Sequence, residues 1–108
     1  MIENKSIVSM IKDSVRATMP DATIILYGSF ARGDNHPDSD MDVLILLNKD
    51  KVTRDDEKSV KYPLYDIEFE TGQIISPLVI SKPDWEKRHK ITPFYENVLR
   101  EGVILSNI

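Results

Sequence analysis

The sequence predicts an α/β fold, a small mixed β-sheet flanked by helices, on three observations. Apolar residues recur at helical spacing near the start, at Ile7, Met10, Ile11 and Val15. Three apolar runs of strand length follow, over residues 22–27, 43–47 and 74–80, and charged segments of helical length separate or trail them. Glycine, proline and asparagine punctuate the joins. With 108 residues the chain is read as one domain, residues 1–108, large enough to bury a core, with its helices expected on one side of the sheet.

Residues 3–18 form the first expected helix. Lys12, Asp13 and Arg16 fall opposite the apolar stripe, and Pro20-Asp21 ends it, so core packing is its expected role. Residues 22–27 then read as a strand that stops at Gly28 and turns into a short helix over residues 29–32. A polar loop over residues 33–39 leads to the second strand, which is entered through Asp40 and Asp42. Side chains alternate along a strand, so these two carboxylates point the same way, roughly 6.5 Å apart along the backbone. The run Val43-Leu44-Ile45-Leu46-Leu47 behind them is wholly apolar, and a strand buried on both faces avoids adjacent unpaired carboxylates unless they have work to do.

That work fits a metal. Carboxylates suit a hard divalent cation such as Mg²⁺ or Mn²⁺, and such a cation neutralises the charge of a nucleoside triphosphate. Gly28 lets a phosphate approach the backbone, and Ser29 adds a hydroxyl at a helix opening. Arg32 has two readings, a triphosphate contact or a pair with a nearby acid. A calcium loop starting at Asp38 is excluded, because its sixth and twelfth positions hold Val43 and Lys49 where glycine and glutamate are needed. His36 has no second histidine at ligand spacing and is expected in solvent.

Gly28-Ser29, Ala31-Arg32-Gly33 and Ser39-Asp40-x-Asp42 running into Val43-Leu44-Ile45 resemble the signature of the polymerase-β-like nucleotidyltransferases. Within that superfamily the chain most resembles the minimal nucleotidyltransferase (MNT) domains of prokaryotes. Ile75-Ser76-Pro77-Leu78-Val79, Asp84-Trp85 and Pro93-Phe94-Tyr95-Glu96-Asn97-Val98 through Glu101-Gly102 are similar to later landmarks of these domains. The resemblance implies a polymerase-β palm-like fold and a Mg²⁺-dependent transfer of a nucleoside monophosphate from an NTP to an acceptor hydroxyl, with pyrophosphate leaving. It implies Asp40 and Asp42 as the catalytic, metal-holding residues, and Gly28, Ser29, Arg32 and Ser39 at the nucleotide. It also implies a partner, since MNT domains are often encoded beside a small helical HEPN protein. In such toxin-antitoxin pairs the MNT member neutralises its partner by binding it, by nucleotidylating it, or both.

Past the second strand, Thr53 is a candidate helix cap with Asp55, Asp56 and Glu57 in the first turn. Pro63 is expected to kink or restart that helix, which then runs to Gly72. The alternation of Asp66, Glu68 and Glu70 also permits a strand with a Thr71-Gly72 hairpin turn; the helix is preferred, in part because the resemblance implies it. Residues 73–81 form the third strand. The family commonly places a third carboxylate on the strand at this stage, and this strand has none. Either Asp66 or Glu68 substitutes, or the site is a two-carboxylate one that binds nucleotide better than it transfers it. Asp84 is expected to cap a short helix holding Trp85, Thr92-Pro93 to start a last helix ending at Gly102, and Val103-Ile104-Leu105 to add an edge strand.

Trp85 and Phe94 read as core or partner surface rather than as base-stacking groups. The basic run Lys87-Arg88-His89-Lys90 is either solvated or a contact for a polyanion. The net charge of -4 argues against a general affinity for nucleic-acid backbone. The chain has no cysteine, hence no thiolate-metal chemistry. No apolar run has the length of a membrane span and the start lacks a signal-peptide core, so the expected compartment is cytoplasmic. Two functions follow: a Mg²⁺-dependent nucleotidyltransferase whose acceptor hydroxyl sits on another molecule, a partner protein among the candidates, or a catalytically weak or inactive antitoxin that neutralises a HEPN-type toxin by binding. A nearby HEPN gene favours the second, and the sequence leaves self-association into a homo-oligomer open.

Overall fold

The computed structural model describes residues 4–106 and makes the apolar run after Asp42 the interior strand β2 (Met41–Leu47). β1 (Thr23–Tyr27) pairs with it antiparallel, β3 (Ile75–Ser81) parallel, and β4 (Val103–Ser106) closes the far edge antiparallel to β1. The strand order β3-β2-β1-β4 is the expected small mixed sheet. The helices are α1 (Asn4–Thr18), α2 (Ser29–Arg32), α3 (Arg54–Thr71), α4 (Lys82–Lys87) and α5 (Pro93–Glu101), with a 3-10 turn at His89–Ile91 between the last two. The expected helix start at residue 3 lies outside the described residues.

Alternation along the strands splits the core in two. Val43, Ile45 and Leu47 of β2, Ile24 and Leu26 of β1, and Ile75 and Val79 of β3 pack with Ile11 and Val15 of α1 and Val60 and Leu64 of α3. Leu44 and Leu46 point the other way, into a second cluster with Trp85 of α4 and Val98 of α5. The sheet is therefore covered by helices on both faces, not on one side as the sequence suggested. The second layer is built from α4 and α5; Phe94 and Val98 mark α5 as a packed helix, but which face of the sheet it covers depends on the tertiary connection and not on its own pattern. Each fully buried Leu, Ile or Val contributes about 1.5–3 kcal/mol, so β2 is firmly held and carries Asp42 into a fixed position at its mouth.

Two local details differ from expectation. α3 runs unbroken through Pro63, because the carbonyl that loses its donor belongs to exposed Ser59 and water can satisfy it. The cap of α4 is Ser81, whose hydroxyl accepts from the Asp84 N–H, so Asp84 sits inside the first turn instead of capping it. Thr53 does cap α3 through a reciprocal box with Asp56, and Thr92 caps α5. Among the described residues no helix is long and apolar enough to cross a membrane.

Candidate functional site

β1 ends at Tyr27, opposite Asp42 in the register, and the chain must turn away at once. Gly28 makes that turn at φ 75°, a conformation that side chains disfavour. Space is a second constraint, since a Cβ on Gly28 would lie 2.5 Å from Asp42 Oδ2. Gly28 is thus a glycine because the backbone passes directly over the Asp42 carboxylate. α2 follows for a single turn and stops at Gly33, in the left-handed region. So short a helix has little macrodipole; its contribution is to aim Ser29 and Arg32.

These elements enclose an open cleft of about 780 Å³ lined by Gly28, Ser29, Arg32, Ser39, Asp40 and Asp42, with Asp34, His36 and Asp38 at its rim. Six residues singled out in the sequence thus meet in one place. Asp40 is exposed and accepts a hydrogen bond from the Ser76 hydroxyl at 3.3 Å. Asp42 is half-buried, and no hydrogen bond reaches its side chain among the described residues. Burial first, then the charge of Asp40, push its carboxyl above the ordinary aspartate range, and Arg32 partly offsets them. The Tyr27 phenol is raised too, by burial and then by Asp42.

Arg32 takes the second of its readings, pairing with nearby acids. Its Nε donates to Asp34 Oδ2 and its Nη1 to Glu101 Oε2, each at 3.1 Å, which holds the guanidinium firmly charged while it still borders the cleft. The Ser39 hydroxyl accepts from the His36 N–H at 2.9 Å and so folds the loop at the rim. His36 is exposed, as expected. Asp66 is exposed on α3, while Glu68 accepts the Ile75 N–H at 2.8 Å, capping a donor of the sheet's edge strand. Among the described residues no three His, Cys, Asp or Glu side chains come together as a metal-holding set. Trp85 and Phe94 meet edge to face in the second core cluster, ring centroids 5.7 Å apart.

Three contacts at the cleft were not legible in the sequence. Ser76 and Glu101 reach it from 36 and 69 residues away, and Gln73 donates to the Ser39 carbonyl at 2.9 Å. Only strand register and helix packing bring them in, and neither leaves a local pattern. The donor set of Asp40, Asp42 and the Ser76 hydroxyl is all oxygen, which suits a hard divalent cation, and the crowding of Asp42 by Asp40 is the kind of strain a cation relieves.

Comparison with known proteins bears on the family and the fold. The family described as nucleotidyltransferase domain matches residues 8–102. An archaeal protein of Methanocaldococcus jannaschii, provisionally named a protein adenylyltransferase, is 37% identical over 60 residues, 55% of this chain and 59% of its own length. The bifunctional uridylyltransferase/uridylyl-removing enzyme of Pseudoalteromonas translucida is 30% identical over 90 residues, 82% of this chain and 10% of its own length. The chain thus spans less than two thirds of either relative. Among solved structures, a toxin-antitoxin crystallised with AMP-PNP superposes with a TM-score of 0.67 at 18% identity, covering 94% of this chain and 73% of that one. A provisionally named nucleotidyltransferase from Sulfolobus solfataricus gives 0.53 at 18% identity, covering 93% and 82%. At such identities the likeness is one of fold.

Proposed function

Because the chain belongs to the nucleotidyltransferase-domain family, we propose that its cleft transfers a nucleoside monophosphate from an NTP to an acceptor hydroxyl on another molecule. The observation that carries this reading is the crossing of the Gly28 backbone directly over the Asp42 carboxylate, with Asp40 beside it. An NTP can there bring its phosphates against bare backbone and within reach of two carboxylates. A divalent cation, Mg²⁺ or Mn²⁺, would be held by Asp40 and Asp42 and would neutralise the triphosphate charge.

The chain's own residues do the rest by positioning. Gly28 admits the phosphates, the Ser29 hydroxyl binds them, and Arg32 offers the Nη2 group that Asp34 and Glu101 leave free. Ser39 shapes the rim through its bond to His36. The acceptor oxygen bonds to the α-phosphorus and the bond to the bridging oxygen breaks. Pyrophosphate leaves with the electron pair, and the hydroxyl proton passes to water. No nucleophilic side chain is required. The reading takes the cytoplasm as the compartment, where nucleoside triphosphates are supplied.

A second reading has its own support. Among the described residues no third acid joins Asp40 and Asp42 as a metal-holding set, which favours a weak enzyme that acts as an antitoxin by binding a HEPN-type toxin; the toxin-antitoxin neighbour shares the fold. One experiment separates the two. Each α-labelled NTP is incubated with Mg²⁺ and the protein, with and without any HEPN protein encoded alongside. Label on an acceptor that disappears in an Asp40→Asn/Asp42→Asn double variant establishes the transferase. Tight partner binding with no label in any mixture rejects transfer and leaves the binding reading.

A further inference from the structure

α3 buries Asp56, Val60, Leu64 and Ile67 on the face it turns to the rest of the fold. The helical period of 3.6 residues puts Lys58, Tyr62, Tyr65 and Phe69 on the opposite face. Tyr62 is 58%, Tyr65 42% and Phe69 90% exposed, so this second face is an aromatic stripe turned to water. Its steps of four, three and four residues are those of a coiled-coil seam, narrower than the stripe by which a helix packs on a sheet. At about 150–250 Å² for each aromatic side chain, these exposures leave on the order of 400 Å² of aromatic surface, the size of patch that is often functional on a monomer.

The charges beside the stripe indicate what covers it. Lys58 and Lys61 stand at one end, and Asp66, Glu68 and Glu70 at the other. We propose that α3 is the contact through which two copies of this chain pair, antiparallel about a twofold axis at Tyr65. That direction lays Tyr62 against Phe69 of the second copy and brings the basic end of each stripe to the acidic end of the other, Lys61 beside Glu68. A parallel pair would set acid against acid along the whole second half of the helix. A twofold contact has to be complementary to itself, and this stripe meets that condition in both its rings and its charges. On the other flank Asp66 approaches its own copy, a like-charged contact at the rim. The aromatic area is about half of the roughly 800 Å² that each partner buries in a standard interface, so the pair is weak, dissociating at on the order of micromolar concentration or above. α3 covers the sheet face opposite Leu44 and Leu46, the side that Asp42 shares by alternation, so pairing leaves the cleft open. The proposal therefore stands apart from the reading of the cleft.

Sedimentation velocity of the full chain at low salt, from on the order of micromolar to hundreds of micromolar, tests it. The wild type is expected to pass from monomer to dimer across that range. Tyr65→Lys, which sets two cations together on the axis, is expected to stay monomeric with the melting temperature of the wild type. Lys61→Glu should raise the dissociation constant by roughly tenfold, and Asp66→Asn should lower it by roughly threefold, since it removes the like-charged contact. That tightening is a change that mere damage to α3 would not produce. Ile91→Lys, at an isoleucine 91% exposed elsewhere on the surface, should pair as the wild type does. Should Tyr65→Lys fail to fold, Phe69→Lys replaces it at a position 90% exposed. A wild type that is monomeric throughout overturns the proposal, as does a dimer that survives both lysine substitutions in the stripe. Shifts of the opposite sign in Lys61→Glu and Asp66→Asn overturn the antiparallel arrangement. A monomeric wild type that binds a HEPN-type protein, and loses it in Tyr65→Lys, gives the face to that partner and overturns the pairing.

Discussion

β2 has an acidic corner at each end, and the fold treats the two in opposite ways. Beyond its C-terminal end, Asp56 is almost fully buried, yet its Oδ1 accepts Lys49 Nζ at 2.6 Å and its Oδ2 accepts the Thr53 N–H at 3.0 Å. The Lys49 hydrogen bond, then that of Thr53, holds its carboxyl below the ordinary aspartate range. At the other end Asp42 has no hydrogen-bond partner among the described residues, lies under the Gly28 backbone, and is pushed upward by burial and by Asp40. Asp56 is an acid the fold completes, and Asp42 is an acid the fold leaves incomplete. The contrast favours the cleft as the candidate site, because a half-buried carboxylate that no protein group hydrogen-bonds among the described residues, and whose pKa is raised, is open to a ligand.

The sharpest way to break the comparison is to neutralise each acid in turn. Asp42→Asn is expected to lower kcat/KM for transfer by on the order of 10²–10³ or more, while stability holds or rises by roughly a few tenths of a kcal/mol, a small gain because solvent screens the half-buried pair. Asp56→Asn is expected to do the reverse, lowering the melting temperature and leaving nucleotide transfer unchanged. Thermal melts and initial rates on both variants check this. Loss of transfer in both, or in neither, removes the division of labour.

The next largest effect is expected at Gly28. Alanine there forces a Cβ to within 2.5 Å of Asp42 Oδ2 in a backbone conformation of φ 75°. We expect a stability loss of about 1–3 kcal/mol and, since small misplacements at a reacting centre are expensive, a fall in transfer of on the order of 10²-fold. The Gly28→Ala/Asp42→Asn double variant sharpens the point. Their transfer losses should fall well short of additive, because both act through one carboxylate.

A smaller effect separates the corners by pH. A raised pKa in the folded state means that protonating Asp42 favours the fold, so its charged form destabilises as pH rises through that pKa, and activity is lost as pH falls through it. Asp56 has a lowered folded pKa. Its contribution to stability is present above the unfolded aspartate value and is lost as pH falls toward the folded one. The acid limb of kcat/KM should therefore lie above that of an ordinary aspartate, move to higher pH in Arg32→Ala, and move to lower pH in Asp40→Asn. An acid limb unmoved by either substitution would detach it from Asp42.

The same contrast explains what could be read from the sequence. Gly28, Ser29, Asp40 and Asp42 lie within 15 consecutive residues, and their spacing alone puts a turn and two same-side carboxylates in front of an apolar strand. Strand alternation, caps and the glycine stop at Gly72 are equally local, which is why most elements were legible. Glu68 was not, because its carboxylate caps the Ile75 N–H across a turn that propensity does not describe. Nor were Ser76 and Glu101, which depend on a parallel register and on where α5 ends. Both late helices were legible, but their place on the second face of the sheet was not, since Trp85, Phe94 and Val98 form a layer only once packed together.

The smallest effect expected is at the cap that completes the Asp56 corner. Thr53 accepts the Asp56 N–H at 3.1 Å while the Asp56 side chain accepts the Thr53 N–H, so each satisfies a group the other would leave bare at the start of α3. Thr53→Ala removes one half of that exchange and should cost about 1 kcal/mol. Lys49 remains on Asp56, so the acid stays paired and the loss stays local. Because α3 packs on the sheet face opposite the Leu44–Leu46 side, and Asp42 shares the latter, the cost should appear in denaturant melts and not in nucleotide affinity. If Thr53→Ala weakened nucleotide binding as strongly as it weakened the fold, the two corners would be coupled through β2, and Asp56 could no longer be assigned to structure alone.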